Sequence, residues 1–481
     1  MNFARDVVDA APSERLALVE LTRSGDRREW TFGEVSVAAG ALAARLVARG
    51  VGRGDVVMTL IGNRPEWVLT MVACFRIGAV ALPCNEQLRA RDLRLRLAAA
   101  SPQAIVADVR NRGELEAARP DCPVLLVPDS SLWSGEAAPC VDLDLRDPCL
   151  ITFTSGTTGE PKGVVHGQRY LPGQALQASV WLDAQPGDLV WCTAATGWSK
   201  SARNVFIAPW IRGAAALLHD ARFDPAQRLE VLAQESVNVL CMAPTEYRVI
   251  AKRVALRRVD SLRGLVAAGE ALNPEVLRAW EEACGLQIRD GYGQTETGQL
   301  TGVPFGAEIR PGSMGRPLPG VALTVEDGEL VLADPRSDPT FFVSWLGGEP
   351  APEDQPWHTG DRVAVDEDGY LYFEGRSDDV IISAGYRIGP FEVESALVSH
   401  GAVAEAAVVA APDEERGSVV RAVVVLREGF APAAALVSEL QDHVKSETAP
   451  YKYPRIVDFV DELPKTASGK VQRAALREGN E

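Results

Sequence analysis

Apolar positions fall at helical spacing behind Thr31: Phe32, Val35, Ala39, Leu42 and Leu46 line one face before Gly50 closes the stretch. Thr31 and Glu34 have the spacing of a capping box, which predicts where this helix begins. Short apolar runs at 56–61, 79–82, 104–107 and 124–127 then alternate with helical stretches. One such helix opens at Asn63 and Pro65 and runs to about Gly78, and another covers 86–100. Further short runs follow at 214–218, 239–242 and 265–268. Strands alternating with helices predict βαβ units and a mostly parallel sheet covered on both faces.

Beyond residue 320 the rhythm changes. Short runs at 321–325, 329–332, 361–365 and 369–373, separated by Gly and Asp turns, predict an antiparallel piece. Residues 333–356 are rich in Pro, Gly and acid and read as a surface loop. A compact unit then begins at residue 378, with a helix over 390–399 and strands at 405–410 and 419–426. Leu436, Leu440 and Val444 mark its second helix. The expected fold class is α/β: a large N-terminal domain, 1–377, of mostly parallel sheets covered by helices plus a small antiparallel β piece, then a small α+β C-terminal lid domain, 378–481.

A length of 481 residues is too great for one core and agrees with more than one domain. The formal net charge of −17 disfavours nucleic acid as a partner, so a polyanionic ligand would need local clusters of Lys and Arg. Eight cysteines stand at irregular spacing without a C-x-x-C pair, which suits reduced thiols in a cytoplasmic protein. The five histidines form no metal-ligand spacing. No apolar leader segment and no membrane-spanning run are read from the chain.

The chemistry concentrates first at 152–163. There Thr154, Ser155, Thr157 and Thr158 alternate with Gly156, Gly159 and Gly163, Lys162 stands near the end, and the apolar pair Leu150 and Ile151 precedes them. Glycines let the backbone approach a ligand, successive N–H groups make an anion site, hydroxyls add donors, and a lysine adds a point charge. The stretch reads as a strand feeding a loop that grips a polyphosphate. It is not a Walker loop, because the gap and the hydroxyl residue after the lysine are missing. A flexible linker is the alternative, and Pro161 with the flanking apolar runs argues against it.

Five more stretches follow in order: Gly269 to Leu272, Gly291 to Thr297, His358 to Arg362, Gly375 to Asp379 with Gly385 to Ile388, and Pro464 to Lys470. Together with 152–163 they resemble the adenylate-forming (AMP-binding) superfamily. Thr196 to Ser201, Ser383 to Pro390, and His443 to Arg455 make the chain most similar to the medium-chain acyl-CoA synthetases, over nearly its whole length. The resemblance implies a mobile lid hinged at Asp378 and a two-step reaction. A carboxylic acid attacks ATP to give acyl-AMP and pyrophosphate, and coenzyme A then takes the acyl group and releases AMP.

By the same resemblance Lys470, Glu296 and Thr157 are catalytic, with Glu296 also holding Mg2+. Thr154, Ser155, Gly156, Thr158, Gly159, Lys162, Gly269, Glu270, Asp290, Gly291, Tyr292, Gly293, Gln294, Thr295, Asp361 and Arg376 surround ATP or AMP. Asp361 would accept the ribose hydroxyls, Arg376 would accompany it, and Tyr292 would stack on adenine. Coenzyme A would meet Ala384, Gly385, Tyr386, Arg416, Lys445, Tyr453 and Arg455, while Trp198 and Arg387 would face the acyl group. The expected partners are a small carboxylic acid, ATP and coenzyme A, without nucleic acid or membrane span. A homodimer stays open, as does acylation of Lys470 as an off-switch.

Two features depart from the family pattern. Residues 333–356 are trimmed, and Arg203 brings a charge where an apolar or aromatic residue is expected. Ser199 could cap a helix that leaves Lys200 and Arg203 pointing to water. Alternatively Arg203 meets a polar acid tail or ring substituent. Competing functions are an aryl-CoA ligase for a benzoate-type acid, an adenylating enzyme delivering to a carrier protein, and a non-catalytic nucleotide-binding sensor. Arg416, Lys445 and Arg455 disfavour the carrier version, and the set Glu296, Asp361, Arg376 and Lys470 disfavours the sensor.

Overall fold

The structure is a computed structural model of the whole chain. It describes residues 1–154, 162–269, 272, 274–377, 379–383, 386–413, 416–465 and 471–478. The chain divides into two compact units. Of the described residues, one holds those within 1–154, 162–322 and 334–356, and the other those within 323–333 and 357–478.

The first unit is built on two seven-stranded sheets. In one, Ile288–Gly291, Gly264–Ala268, Val239–Met242, Leu189–Cys192, Ala215–His219 and Leu16–Leu21 lie parallel in that order, and Arg27–Thr31 closes the edge antiparallel. In the other, Pro148–Phe153, Val80–Cys84, Val56–Leu60, Ala104–Asp108 and Val124–Val127 are parallel, while Gly163–Gly167 and Ser344–Trp345 add an antiparallel edge.

One core joins the two sheets through helices Phe32–Val47 and Pro65–Ile77: Val57, Ala81 and Val106 from one sheet share it with Val190, Ala216 and Val266 from the other. Helices Pro225–Gln234, Pro244–Arg253 and Pro274–Cys284 cover the outer face of the first sheet. Ala90–Ala100 and Arg112–Ala118 cover that of the second. The local signals act as written. Glu34 N–H donates to Thr31 Oγ1 at 3.2 Å and Thr31 N–H to Glu34 Oε2 at 2.8 Å, which completes the capping box. Pro65 opens the next helix and Gly78, at φ 72°, ends it.

The segment expected as a surface loop is instead structured. Ser344–Trp345 pairs with Gly163–Gly167, and Phe341 and Phe342 are fully buried. The cause is an apolar island, Phe341, Phe342 and Val343, set inside a Pro-, Gly- and acid-rich stretch.

The second unit begins with an antiparallel sheet of Leu323–Glu326, Glu329–Leu332, Trp357–Val365 and Leu371–Arg376. Beyond it, Val403–Asp413 and Gly417–Leu426 pair antiparallel, and Ile456–Phe459 joins parallel. Helices Pro390–Ser399 and Ala434–Glu447 pack on this sheet through Val393, Leu397, Leu436, Leu440 and Val444. The expected hinge residue, Asp378, lies outside the described residues. No described helix is long and apolar enough to cross a membrane.

Candidate active site

The phosphate-loop stretch joins two paired strands. Phe153 stands opposite Gly163, and Thr154 N–H donates to Lys162 O at 2.9 Å, so both ends of the loop are pinned together. Thr154 Oγ1 adds a longer bond to the same carbonyl, at 3.4 Å. The exposed Lys162 carries its Nζ 5.6 Å from the ring centroid of Trp345. Ser155, Gly156, Thr157, Thr158 and Gly159 lie outside the described residues.

The other nucleotide motifs of this unit emerge from neighbouring parallel strands. Ala268 is the register partner of Gly291 and Ala267 of Asp290, so Gly269 and Tyr292 leave the sheet side by side at its carboxyl end. In parallel α/β sheets this is where ligands bind. Gly269 has φ +101°, a conformation that favours glycine. Glu270 is outside the described residues. Asp290 is buried, and that burial pushes its carboxyl well above the usual range; Gly291 N–H donates to its Oδ1 at 2.8 Å. A side chain at Gly291 would be crowded out, since a Cβ there would sit 2.2 Å from Gln299 Nε2 and 2.8 Å from Trp181 Nε1.

Past Gly291, residues Tyr292, Gly293, Gln294, Thr295 and Glu296 are part-exposed, and burial resumes at Thr297. Their backbone is fixed from several sides. Leu300 N–H donates to Tyr292 O at 2.9 Å, and Gln294 N–H to Thr297 Oγ1 at 3.1 Å.

A seam that sequence reasoning missed joins this turn to the strand that follows the phosphate-loop stretch. Phe342 N–H donates to Glu296 O at 2.8 Å, Val343 N–H to Val165 O at 2.9 Å, and Leu346 N–H to Gly163 O at 2.8 Å. The segment around the two phenylalanines therefore ties the Glu296 backbone to the return strand of the loop. The only signal in the sequence was three consecutive large apolar residues among polar ones. His166, on that same return strand, is buried beside the backbone of Thr295 and Thr340, and burial pushes its pKa down to about 3.

Trp198 precedes the short helix Ser199–Ala202 and holds its N-cap position without a side-chain bond, so Ser199 is not the cap. Lys200 and Arg203 do not point to water. Lys200 Nζ donates to Ala268 O at 2.9 Å, and Arg203 is 3% exposed. The physical cause is a π-helical turn, Arg203–Ile207, which carries Arg203 into the interior.

In the second unit, Asp361 and Arg376 are register partners on adjacent strands, and Arg376 Nη1 donates to Asp361 Oδ1 at 3.1 Å. Arg376 also donates to Thr359 O at 3.0 Å, and Asp361 N–H donates to Thr359 Oγ1 at 3.1 Å. The carboxylate is buried, with a preset guanidinium beside it.

Farther along the unit, Lys445 Nζ and the Arg455 guanidinium lie 4.6 and 4.9 Å from the ring centroid of Tyr453, which brings three of the expected coenzyme A contacts together. Lys445 also pairs with Asp442 at 2.8 Å. Tyr386 is exposed and stacks on Tyr451 at 4.4 Å. Arg416 donates its N–H to Asp413 Oδ1 at 2.9 Å. Arg387 lies in strand Tyr386–Ile388. Ala384, Gly385 and Lys470 are outside the described residues. The flanks of 466–470 are held together, with Lys465 bridging Val471 and Gln472 N–H donating to Pro464 O at 2.9 Å.

Among the described residues no three His, Cys, Asp or Glu side chains gather to hold a metal by themselves. A single carboxylate ligand such as Glu296 fits a hard cation that takes its remaining oxygens from phosphate and water.

Known proteins extend these findings. Residues 4–335 match the AMP-binding enzyme family, and 392–470 match the AMP-binding enzyme C-terminal domain. The chain is 40% identical to the mitochondrial acyl-coenzyme A synthetase ACSM4 of Rattus norvegicus, over 99% of this chain and 90% of the relative. It is 38% identical to the uncharacterized acyl-CoA ligase YtcI of Bacillus subtilis, over 98% and 94%.

Among solved structures, an anthranilate CoA ligase in complex with anthranoyl-AMP superposes with a TM-score of 0.88 at 30% identity, over 100% of this chain and 97% of that one. A benzoate CoA ligase from Burkholderia xenovorans gives 0.88 at 27% identity, over 99% and 100%. With both its long N-terminal region and its C-terminal domain matched, the chain belongs to the AMP-binding, adenylate-forming enzyme family.

Proposed function

We propose that the protein is an ATP-dependent, AMP-forming acyl-CoA ligase acting on a medium-chain or related carboxylic acid. The observation that carries this reading is the seam from Glu296 through Phe342 and Val343 to Val165, which ties the backbone of a carboxylate-bearing turn to the strand that follows the phosphate-loop stretch. In the first step a carboxylate oxygen attacks the α-phosphorus, and the bond to the β-phosphate bridge breaks to release pyrophosphate. In the second, the sulfur of coenzyme A attacks the acyl carbon, AMP leaves, and the thiol proton passes to solvent. Bringing a carboxylate against a triphosphate makes positioning and charge neutralisation the main work of the protein.

Thr154 to Lys162 would hold the phosphates that depart. Glu296 would hold Mg2+, which when bound neutralises phosphate charge. The Asp361 carboxylate, steadied by Arg376, would accept the ribose hydroxyls, and Tyr292 would lie against the base. Trp198 would wall the acyl site. Lys445, Tyr453 and Arg455 would meet the nucleotide end of coenzyme A, with Tyr386 along the pantetheine path. Lys470 would meet the charge that builds between the α-phosphate and the incoming carboxylate, and the lid would turn about Asp378 to admit coenzyme A. The eight free cysteines suit a reducing, cytoplasmic setting.

The test is a separation of half-reactions. Lys470→Ala should abolish acid-dependent pyrophosphate release yet form thioester from supplied acyl-AMP at close to the parent rate. Equal loss of both steps would refute the role of Lys470, and absence of pyrophosphate release by the parent enzyme across an acid panel would refute the ligase.

A further inference from the structure

The helix Tyr170–Val180 buries a face of unusual chemistry. Tyr170, Gln174, Gln177 and, just past its end, Trp181 follow at spacings of four, three and four, so they share one side, and all are at most 2% exposed. Such a face is normally aliphatic. Here it packs against the π-helical turn Arg203–Ile207, and Gln177 Nε2 donates to Asn204 Oδ1 at 3.0 Å. The phenol of Tyr170 stands beside Arg203, and its ring lies 4.1 Å from that of His166.

Arg203 itself is the anomaly. Its Nε and Nη1 are buried and have no hydrogen-bond partner, and no described carboxylate pairs with it. Asn204 Nδ2, Gln177 Oε1, Trp181 Nε1 and Gln299 Oε1 are buried without partners as well. Gln299 and Trp181 crowd the position a side chain at Gly291 would take, which puts this polar patch against the end of the strand feeding the 292–297 turn. A buried, unpaired guanidinium is strongly destabilising and is retained where something else neutralises it. The lone charge needs an anion, and the orphan amide and indole groups need further polar atoms beside it.

We infer that Arg203 is a specificity-determining residue that receives a second anionic group of the acid substrate, so that the preferred substrate is a dicarboxylic acid rather than a plain aliphatic one. The inference rests on the ligase reading and on Trp198, five residues upstream, walling the acyl site. Lys200, on the turn before Arg203, is already engaged with Ala268 O, whereas Arg203 has the Tyr170 phenol beside it and no described carboxylate. An aliphatic tail in the same place would bury the charge against hydrocarbon. A carboxylate would pair with it, and the neutral imidazole of His166 and the phenol of Tyr170 stand close by.

The experiment compares pyrophosphate release and thioester formation for matched straight-chain acids, butyrate to decanoate against succinate to sebacate, with benzoate and its carboxy-substituted forms alongside. At the best length the diacid should exceed its monoacid partner in kcat/KM by about 100-fold or more. Arg203→Met should reverse that preference, and Arg203→Lys should restore part of it. A parent enzyme that prefers the monoacid at every length would overturn the inference while leaving the ligase reading standing. So would a diacid-to-monoacid ratio unmoved by Arg203→Met. Should the Met variant fail to fold, the parent's own preference decides. Release with no acid at all would overturn both readings.

Discussion

At the scale of single residues, His166 shows how burial sets chemistry. Its ring is fully buried and its pKa is pushed from 6.5 down to about 3, mainly by desolvation, with the Arg203 and Arg169 charges adding to the effect. The folded state therefore holds the neutral form, and unfolding below pH 6.5 takes up a proton. The stability this residue contributes is intact above 6.5 and is lost as pH falls toward 3. Between about pH 7.5 and about pH 5 the loss amounts to about 2 kcal/mol. In urea unfolding at those two pH values, His166→Gln should lose about 2 kcal/mol less than the parent, because the carboxylates common to both cancel. An identical pH dependence would show that the fold leaves the imidazole pKa where it is in the unfolded chain.

Asp361 and Arg376 were legible as neighbours because each sits in a short stretch whose residue types suit such a pair. His166 and Arg203 were not. What distinguishes them is burial without a compensating charge, which arises only when distant segments pack. At Arg203 the departure from pattern is visible in the residue itself but its direction is not, and the π-helical turn that draws it inward has no residue signature.

At the scale of elements, the capping box at Thr31 and Glu34 and the Pro65–Gly78 bracket worked because their determinants are local. The strands Leu16–Leu21 and Arg27–Thr31 had no counterpart among the expected elements. Leu16–Leu21 is buried almost throughout, so it shows no alternation to read, and it joins its sheet beside Ala215–His219, far along the chain.

Residues 333–356 failed for the opposite reason, since average composition hid a short apolar island. That island has a measurable weight. Phe342 is fully buried, with rings of Phe341 and Trp345 at 4.9 and 4.8 Å, and its N–H holds Glu296 O. Phe342→Ala should cost about 3–5 kcal/mol in urea unfolding, from lost transfer energy and the cavity left behind. It should also raise the KM for MgATP, because the turn carrying Glu296 loses its packed support. A stability change below about 1 kcal/mol would show that the island is not the seam described.

At the scale of the whole molecule, alternation of strands and helices correctly implied parallel sheets covered on both faces. It could not divide the strands between two sheets, since that assignment depends on which apolar faces meet in one shared core. The antiparallel piece was placed at the right point of the chain, and in the structure it groups with the C-terminal unit.

In the proposed reaction these parts activate an acid by attack at the α-phosphorus of ATP. The most direct measurement follows oxygen. A carboxylic acid labelled with oxygen-18 in its carboxylate is turned over with ATP, Mg2+ and coenzyme A, and the products are weighed by mass spectrometry. One labelled oxygen is expected in AMP and none in pyrophosphate. Unlabelled AMP, or ADP with labelled phosphate, would contradict it.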